Sequence, residues 1–312
     1  MEVFYFNGKN VVSDYDFQRL DKDKLIWIRV VGNKEEKIQR IAEFTKVPFE
    51  EFQEFFDSDE RSRLEQGRFL ELIYQVPFLD KGEITTAPVN IFLINNIFIT
   101  VEKERIITIE KIASLMRKRK LKFLFKSSIG EFLYYFLDKI NDDFLLTIDK
   151  IANLADVLEG KEGDVSSKQL MKLYNYNVTL THFNQALLAN MEVLVGLRKS
   201  YFKKFTKHNL EMFSDLYYDK LHILDTEKIQ REVISNLFNF QTVVATHKLN
   251  NFMKKLTSLA LIIMVPTFIT GLFGMNLKIP LADSDYGFAI VFGLMILVAG
   301  MFFAIFKKTD WL

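Results

Sequence analysis

The stretch of sequence that decides the fold is residues 256–273, LTSLALIIMVPTFITGLF, near the C-terminal end of the chain. Its 18 residues carry no charge, and residues 287–306, GFAIVFGLMILVAGMFFAIF, form a second uncharged run of 20. A helix rises about 1.5 Å per residue, so each run is long enough to cross a hydrocarbon core of about 30 Å. Pro266 does not argue against a span, because membrane helices tolerate proline. The two runs therefore predict a transmembrane hairpin rather than a buried helix pair in a soluble core.

Basic residues indicate the orientation of this hairpin. Lys254 and Lys255 precede the first run, and Lys307 and Lys308 follow the second, whereas the loop of residues 274–286 mixes one lysine with two aspartates. Under the positive-inside rule, both ends of the hairpin lie in the cytoplasm and the loop lies outside. The N-terminal sequence MEVFYFNGKN lacks the pattern of a signal peptide. We therefore expect a multi-pass protein of the cell (inner or plasma) membrane, with both termini in the cytoplasm.

Composition and motifs exclude several functional classes. The chain has no cysteine, which excludes disulfides, Cys-ligated zinc, iron–sulfur clusters and thiol catalysis. Its 41 Lys and Arg residues balance 40 Asp and Glu residues, so its charge gives no support for a nucleic-acid partner. The sequence contains no Gly-rich phosphate loop, no G-x-S-x-G and no H-E-x-x-H motif. It therefore predicts neither an enzyme nor a nucleic-acid-binding protein.

The N-terminal region, residues 1–125, alternates short apolar runs with polar turns. This alternation predicts a cytoplasmic α/β head, in which a mixed sheet packs against helices. The expected strands are residues 3–6, 25–31, 69–76, 90–94 and 97–101, with a hairpin turn at Asn95-Asn96, and the expected helices are residues 35–44 and 48–56.

Residues 126–250 have the pattern of a stalk built from long helices. From Phe136 onward, apolar residues recur at intervals of three and four, and there is no glycine or proline between Gly196 and Pro266. A helix that begins near Asn209 is therefore expected to continue into the first membrane span. An amphipathic helix of this length needs partners, which indicates self-association. The expected fold is an α/β head, a long α-helical stalk and a transmembrane hairpin in residues 251–312.

One side of the first span mixes small and polar residues into a background of leucine, isoleucine and phenylalanine. At about 100° per residue these residues fall within an arc of about 120°, which makes them one stripe along the helix. The stripe consists of Asn250, Met253, Leu256, Thr257, Ala260, Met264, Thr267 and Gly271. Small and weakly polar residues are also typical of helix packing in membranes. The stripe alone therefore leaves helix packing and pore lining equally open.

The residues that follow the span are more specific. Phe273 is followed by the triplet Gly274-Met275-Asn276, and the chain ends in the sequence KKTDWL. This triplet at the end of the first of two C-terminal spans, together with the basic-Trp-Leu ending, resembles the CorA family of magnesium transporters. The pattern M-x-P-T-F-I-x-G, which begins at Met264, also resembles the first span of that family. The likeness covers the whole chain in outline and is motif-specific over residues 209–312.

The resemblance implies a funnel-shaped homopentamer in the lipid bilayer that moves divalent cations, in the first place Mg²⁺, into the cell down the membrane potential. The first spans would surround an axial pore whose selectivity filter is Gly274, Met275 and Asn276. The implied pore-lining residues are Asn250, Met253, Leu256, Thr257, Met264, Thr267 and Gly271.

The resemblance also implies regulation by cytoplasmic Mg²⁺, which in the family binds between neighbouring cytoplasmic domains and holds the pore shut. The sequence SDLY at residues 214–217 resembles the family's regulatory segment, which makes Asp215 the implied stalk carboxylate. Asp80, in the sequence FLDKGE, is a candidate for its partner in the head. Asp215 can equally be read as an ordinary surface acid, and for Asp80 that reading is the favoured one.

One departure from the family pattern leaves the transported ion open. Family loops commonly place Pro-Glu soon after the triplet, whereas residues 277–283 here read LKIPLAD, with an intervening lysine. Two alternatives to a magnesium channel therefore stand beside it. One is a related transporter of Zn²⁺, Co²⁺ or Ni²⁺, coupled to protons, and the other is a membrane-anchored oligomeric scaffold that transports nothing.

Overall fold

The computed structural model describes residues 1–7, 11–13, 20–32, 35–53, 61–159, 167–275 and 285–311. The chain divides into two compact units, Met1–Leu237 and Phe238–Leu312. The strands of the described residues are Glu2–Phe6 (β1), Val11–Ser13 (β2), Ile26–Val31 (β3), Arg63–Gln66 (β4), Leu70–Asp80 (β5), Glu83–Ile94 (β6) and Ile97–Glu102 (β7). The helices are Glu35–Thr45 (α1), Phe49–Gln53 (α2), Ile107–Arg117 (α3), Ile129–Glu159 (α4), Ser167–Arg198 (α5), Lys207–Phe273 (α6) and Gly287–Lys308 (α7), with a short 3₁₀ helix at Lys122–Lys126.

The strands form one mixed sheet in the order β2-β1-β3-β7-β6-β5-β4. The β3–β7 pair is parallel, and the other pairs are antiparallel. A mixed sheet with helices confirms the predicted α/β head. All five predicted strands are present, whereas the three-residue β2 was too short for the pattern to reveal, and the four-residue β4 was both short and polar.

Strands β5 and β6 extend well beyond the predicted ranges. They pair continuously from Leu70–Leu93 to Asp80–Glu83, and the turn between them holds Lys81 at φ 48° and Gly82 at φ 92°. Positive φ at both central residues is what a type I′ hairpin turn requires. Both predicted strands stop short of this turn.

A buried asparagine on α5 shows how a helix completes the sheet. Hydrogen-bonded and non-hydrogen-bonded pairs alternate from Asp80–Glu83, so Gln75 and Pro88 form a non-hydrogen-bonded pair, and the Gln75 backbone groups point to the other edge of β5, beyond the end of β4. The side-chain amide of Asn190, on α5, accepts from the Gln75 backbone N–H and donates to the Gln75 carbonyl, both at 2.8 Å. The fully buried Asn190 therefore satisfies backbone groups of β5 and fixes α5 on the sheet.

Each face of the sheet carries an apolar core. One face packs against α1 and α2. On the other face, the ring of Phe98 lies 4.8 Å from the ring of Phe132 and 5.3 Å from the ring of Phe136, both on α4. The apolar residues that α4 repeats beyond this point are buried, as the periodicity predicted: Ile140, Phe144, Ile148, Ile151 and Ala155.

The starts of α4 and α6 are joined by their capping residues. At the start of α6, Asn209 N–H donates to the Thr206 hydroxyl and the Thr206 N–H donates to the Asn209 carboxamide oxygen, which is the reciprocal arrangement of a capping box. The Asn209 amide also donates to Ser128, the residue before α4. A Cβ at Gly130 would lie 2.4 Å from Asn209 Cγ, so glycine is required for this approach.

Helices α6 and α7 each contain a segment long and apolar enough to cross a membrane. Helix α6 has 67 residues and continues through Pro266, as the lack of helix breakers predicted. After α7, Asp310 adopts a φ of 55°, and the Trp311 N–H donates to the Phe306 carbonyl at 2.9 Å. The Trp311 ring stacks on Phe306 with 5.8 Å between ring centres, so the chain end folds back onto its helix.

Candidate functional site

The predicted stripe of the first span is solvent-accessible along its whole length. In an isolated chain, a residue that lines an oligomer pore has no neighbour on its outer side and must be accessible. The exposed stripe residues are Asn250, Met253, Leu256, Thr257, Ala260, Met264, Thr267 and Gly271. Exposure is therefore compatible with both readings of the stripe, because helix packing between subunits would leave the same face open.

The partly covered residues of the span lie on the other side of the helix. These residues are the buried Ser258 and the half-buried Leu261, Ile262, Val265, Pro266 and Ile269. At about 100° per residue, the centre of this set lies about 150° from the centre of the stripe. The stripe thus occupies the more accessible side of α6.

Thr267 presents an oxygen atom on the stripe. Its hydroxyl donates to the backbone carbonyl of Ile263 at 2.8 Å. Because the hydroxyl proton is used in this bond, the oxygen lone pairs remain available to accept hydrogen bonds from outside the helix. Water molecules bound to a cation are hydrogen-bond donors, so this oxygen suits the path of a hydrated ion.

The chain leaves α6 through the first two residues of the expected filter. The Gly274 N–H donates to the Thr270 carbonyl at 2.9 Å, and the Met275 N–H donates to the Leu272 carbonyl at 3.3 Å. A Cβ at Gly274 would lie 3.1 Å from the Thr270 carbonyl oxygen, which is a tight contact for any larger residue. Asn276 lies outside the described residues.

The residues on either side of Asp215 on α6 make contacts with α5. Arg198, on α5, donates to the Ser214 hydroxyl at 3.1 Å, and its guanidinium lies 4.6 Å from the ring centre of Tyr217. These contacts fix the residues on either side of Asp215 against α5. The Asp215 side chain itself is exposed.

Asp215 belongs to an acidic surface shared by α4 and α6. Partial burial, followed by the charges of Asp138 and Asp215, raises the pKa of the Asp219 carboxyl above its ordinary value. Burial and the same group of carboxylates also raise the pKa of Tyr134. Lys139 pairs with Asp138 at 3.2 Å and with Asp142 at 2.6 Å. Asp215 and Asp219 are therefore the carboxylates of this surface left open to a cation such as Mg²⁺, which prefers carboxylate oxygens.

Asp80 occupies a separate place in the head. It is the last residue of β5, opposite Glu83, and it is exposed. It lines a cleft of about 290 Å³ to which Lys103 and Glu104 also contribute. Among the residues that the structure describes, no three His, Asp or Glu side chains come close enough to hold a metal ion. Asp80 and Asp215 are therefore not brought together with a third ligand.

Sequence reasoning did not predict the neighbours of Asp215. Asp138 and Asp142 are spaced by four residues, as are Asp215 and Asp219, and this spacing places each pair on one side of its helix. The spacing could have predicted two acidic helix faces. It could not have shown that the two faces meet, because that depends on how α4 and α6 pack.

Comparison with known proteins decides the family. The family described as CorA-like Mg²⁺ transporter protein matches residues 22–308 of the chain. The chain is 31% identical to the cobalt/magnesium transport protein CorA of Methanocaldococcus jannaschii, over 98% of this chain and 97% of that protein. This chain belongs to the CorA family. The structure of the complete CorA magnesium transporter from the same organism has a TM-score of 0.85 with this chain, at 28% identity, and the match covers 100% of this chain and 98% of the other.

A more distant relative has the same extent. The cobalt/magnesium transport protein CorA of Thermotoga maritima is 24% identical over 98% of this chain and 88% of its own length. The resemblance inferred from the Gly-Met-Asn triplet is confirmed, and so is the layout of an α/β head, a long helix and C-terminal apolar helices. As a CorA-family protein, the chain is a membrane transporter of divalent cations and not an enzyme.

Proposed function

We propose that this transporter takes up Mg²⁺ down the membrane potential through a pore at the axis of a homopentamer, and that cytoplasmic Mg²⁺ closes the pore. The observation that carries the proposal is the Gly-Met-Asn triplet directly after α6, at the end of an accessible stripe with an acceptor oxygen at Thr267. The proposed location is the cell (inner or plasma) membrane, with both termini in the cytoplasm. The reason is that lysines lie directly before the first span and directly after the second.

The chemistry of the filter follows from the hydration of the ion. Mg²⁺ releases its water reluctantly, so a first filter recognises the ion through its water shell. A ring of Asn276 side chains presents neutral amide oxygens, which accept hydrogen bonds from that water without holding the ion as firmly as carboxylates would. In this arrangement Gly274 permits the close backbone turn, and Met275 packs to fix the loop.

Further along the proposed pore, apolar side chains form the gate. Met253, Leu256 and Met264 lie on the stripe between polar residues, and narrow apolar rings stop ions by dewetting. Thr257 and Thr267 supply hydroxyls, Gly271 leaves room for water, and Asn250 forms a second amide ring on the cytoplasmic side. The pore thus alternates polar and apolar rings.

The membrane potential supplies the driving force without a pump. When a divalent cation enters a cell whose interior is negative, its free energy falls by about 4.6 kcal/mol per 100 mV of membrane potential. This is twice the roughly 2.3 kcal/mol for one charge. Because entry is downhill, control must act on the gate. The acidic surface around Asp215 suits that control, since a bound cation relieves repulsion between carboxylates and strengthens the contact that it bridges. In the proposed oligomer Asp80 of a neighbouring copy is the candidate second partner.

Replacing Asp215 tests the regulatory site. We expect Asp215→Ala to raise the Mg²⁺ concentration that protects the purified protein from proteolysis by about tenfold, the effect of a coupling of about 1.4 kcal/mol. Asp225→Ala, at another exposed carboxylate of α6, serves as the matched control and keeps the protection of the unmodified protein. Unchanged protection in Asp215→Ala removes this residue from the regulatory role.

The two tryptophans test the membrane hairpin. Trp27 is buried in the head, whereas Trp311 stacks on the end of α7, beside Lys307 and Lys308. Tryptophan beside lysines at the end of an apolar helix is typical of a membrane interface. In a Trp27→Phe variant we expect lipids brominated near the headgroup to quench most of the Trp311 emission. In the matched Trp311→Phe variant Trp27 emission stays unquenched, and an unquenched Trp311 would contradict the proposed span.

A second candidate function is proton-coupled transport of Co²⁺, Ni²⁺ or Zn²⁺. Two relatives are named cobalt/magnesium transport proteins, and the lysine in the outer loop departs from the family pattern. Competition among these ions for flux into liposomes, measured with and without a proton gradient, separates this function from passive Mg²⁺ uptake.

A further inference from the structure

Lys220, on α6, is a charged residue in an apolar interior. Its side chain is fully buried, and its ammonium nitrogen has no hydrogen-bond partner. The nitrogen lies 5.1 Å from the ring centre of Tyr74 on β5 and 5.0 Å from the ring centre of Phe144 on α4. Lys220 thus connects α6 to both the sheet and α4 in the unit Met1–Leu237.

The polar groups around Lys220 are neutral. The Tyr74 hydroxyl is buried without a hydrogen-bond partner, and burial raises the pKa of this phenol, so it stays protonated. Asn141, one turn before Phe144 on α4, has a buried amide with neither its nitrogen nor its oxygen hydrogen-bonded. Neither element that packs on Lys220 therefore presents a carboxylate to it in the described residues.

The acids of α6 do not neutralise Lys220 either. Glu227, two turns further along, is buried, but its carboxylate accepts hydrogen bonds from Asn184 and Arg231. Asp219 is exposed and belongs to the acidic surface with Asp138. Among the described residues, no carboxylate lies within ion-pair distance of Lys220, and its only charge-stabilising contacts are the two aromatic rings.

Burial of an unpaired ammonium is unfavourable, and a lysine in this position gives up its proton more easily than one in water. Burial lowers the pKa of Lys220 to about 7, from an ordinary value of 10.5. Any local opening that brings the amine into contact with water restores the ordinary value. The packed and open arrangements of α6 therefore bind different numbers of protons.

We propose that Lys220 is a proton-linked latch, in which the neutral amine packs against Tyr74 and Phe144 and proton uptake by this amine drives the local opening of α6 from the sheet and α4. The latch requires no ligand and depends only on contacts within the head and stalk. Only the link between the latch and ion flux rests on the proposed function, because α6 is also the helix that carries the proposed pore residues.

The sign and size of the effect follow from linkage. Between the two pKa values the open form holds a proton that the packed form lacks, so acidification favours opening. With values of about 7 and 10.5, the opening equilibrium constant rises about fiftyfold from pH 9 to pH 7 and about twofold from pH 7 to pH 6. Opening is thus steeply pH-dependent above neutrality and nearly level below it.

Hydrogen exchange of the full-length protein in detergent measures this constant. Rates for the α6 peptide that contains Lys220 are divided by the chemical exchange rate at each pH, which leaves the opening equilibrium. We expect the fiftyfold rise in the unmodified protein and a pH-independent, more protected peptide in Lys220→Met. Lys228→Met, at an exposed lysine of the same helix, keeps the rise. A level profile in the unmodified protein, or the same rise in Lys220→Met, would overturn the latch.

Two further measurements separate this latch from other outcomes. Tyr74→Phe keeps the ring and removes the hydroxyl, so it should retain the pH profile, and loss of the profile would overturn the assignment of the proton to Lys220 alone. Mg²⁺ flux into liposomes at varied internal pH tests the link to transport. An absence of any flux counts against the proposed function, whereas the exchange profile alone decides the latch.

Discussion

We expect Asn276→Ala to abolish the ability of this protein to rescue growth of a magnesium-uptake-deficient strain. In the proposed pore, a ring of amide oxygens at the outer mouth accepts hydrogen bonds from the water shell of Mg²⁺. Alanine removes every one of these acceptors at once, because each copy contributes the same residue. A hydrated ion then meets an apolar ring, which favours dewetting over passage. The measurement is growth at limiting Mg²⁺, with expression checked in the membrane fraction.

The matched control for this prediction is Asn251→Ala. Asn251 is exposed on α6 and lies about 100° around the helix from the edge of the stripe. The substitution therefore removes an amide of the same size that does not face the proposed pore. We expect Asn251→Ala to rescue growth as well as the unmodified protein. Full rescue by Asn276→Ala at normal expression would reject the pore assignment and favour the scaffold. Loss of rescue in both variants would point to a packing role for these amides.

Sequence was sufficient for features that depend on local chemistry. The uncharged runs predicted the apolar helices, and the lack of glycine and proline predicted that α6 continues from the stalk into the span. The Gly-Met-Asn triplet predicted the family, because its position relative to the two runs is specific. Each of these features is carried by residues close together in the chain.

Features that depend on packing were not predictable in the same way. The backbone groups of Gln75, which lie beyond the end of β4, bond to the side-chain amide of Asn190, which is distant in sequence. Lys220 reads as a surface lysine of an amphipathic helix, and its burial follows from the positions of Tyr74 and Phe144. In both cases the deciding partner lies on an element whose placement no local pattern specifies.

Arg29→Met should cause the largest loss of stability of any single substitution considered. The Arg29 side chain is buried and donates to both carboxylate oxygens of Glu102, at 2.6 and 2.9 Å, and to Glu110 at 2.5 Å. Glu102 is also fully buried and accepts from the Ile106 N–H at 2.9 Å. Removal of the guanidinium leaves the carboxylate of Glu102 without its counter-charge, and breaking a buried ion pair in this way costs about 3–5 kcal/mol.

Denaturant unfolding followed by Trp27 emission, in a Trp311→Phe background, measures this loss because Trp27 then reports on the head alone. The matched control is Lys24→Met, which removes an exposed ion pair with Asp21 and should change the unfolding free energy by no more than about 0.5 kcal/mol. Adding Glu102→Gln to Arg29→Met removes the stranded charge but keeps an acceptor for Ile106, so the double variant should recover part of the loss. A stability of Arg29→Met within about 1 kcal/mol of the unmodified protein would show that water, or protonation of the Glu102 carboxylate, compensates for the lost guanidinium.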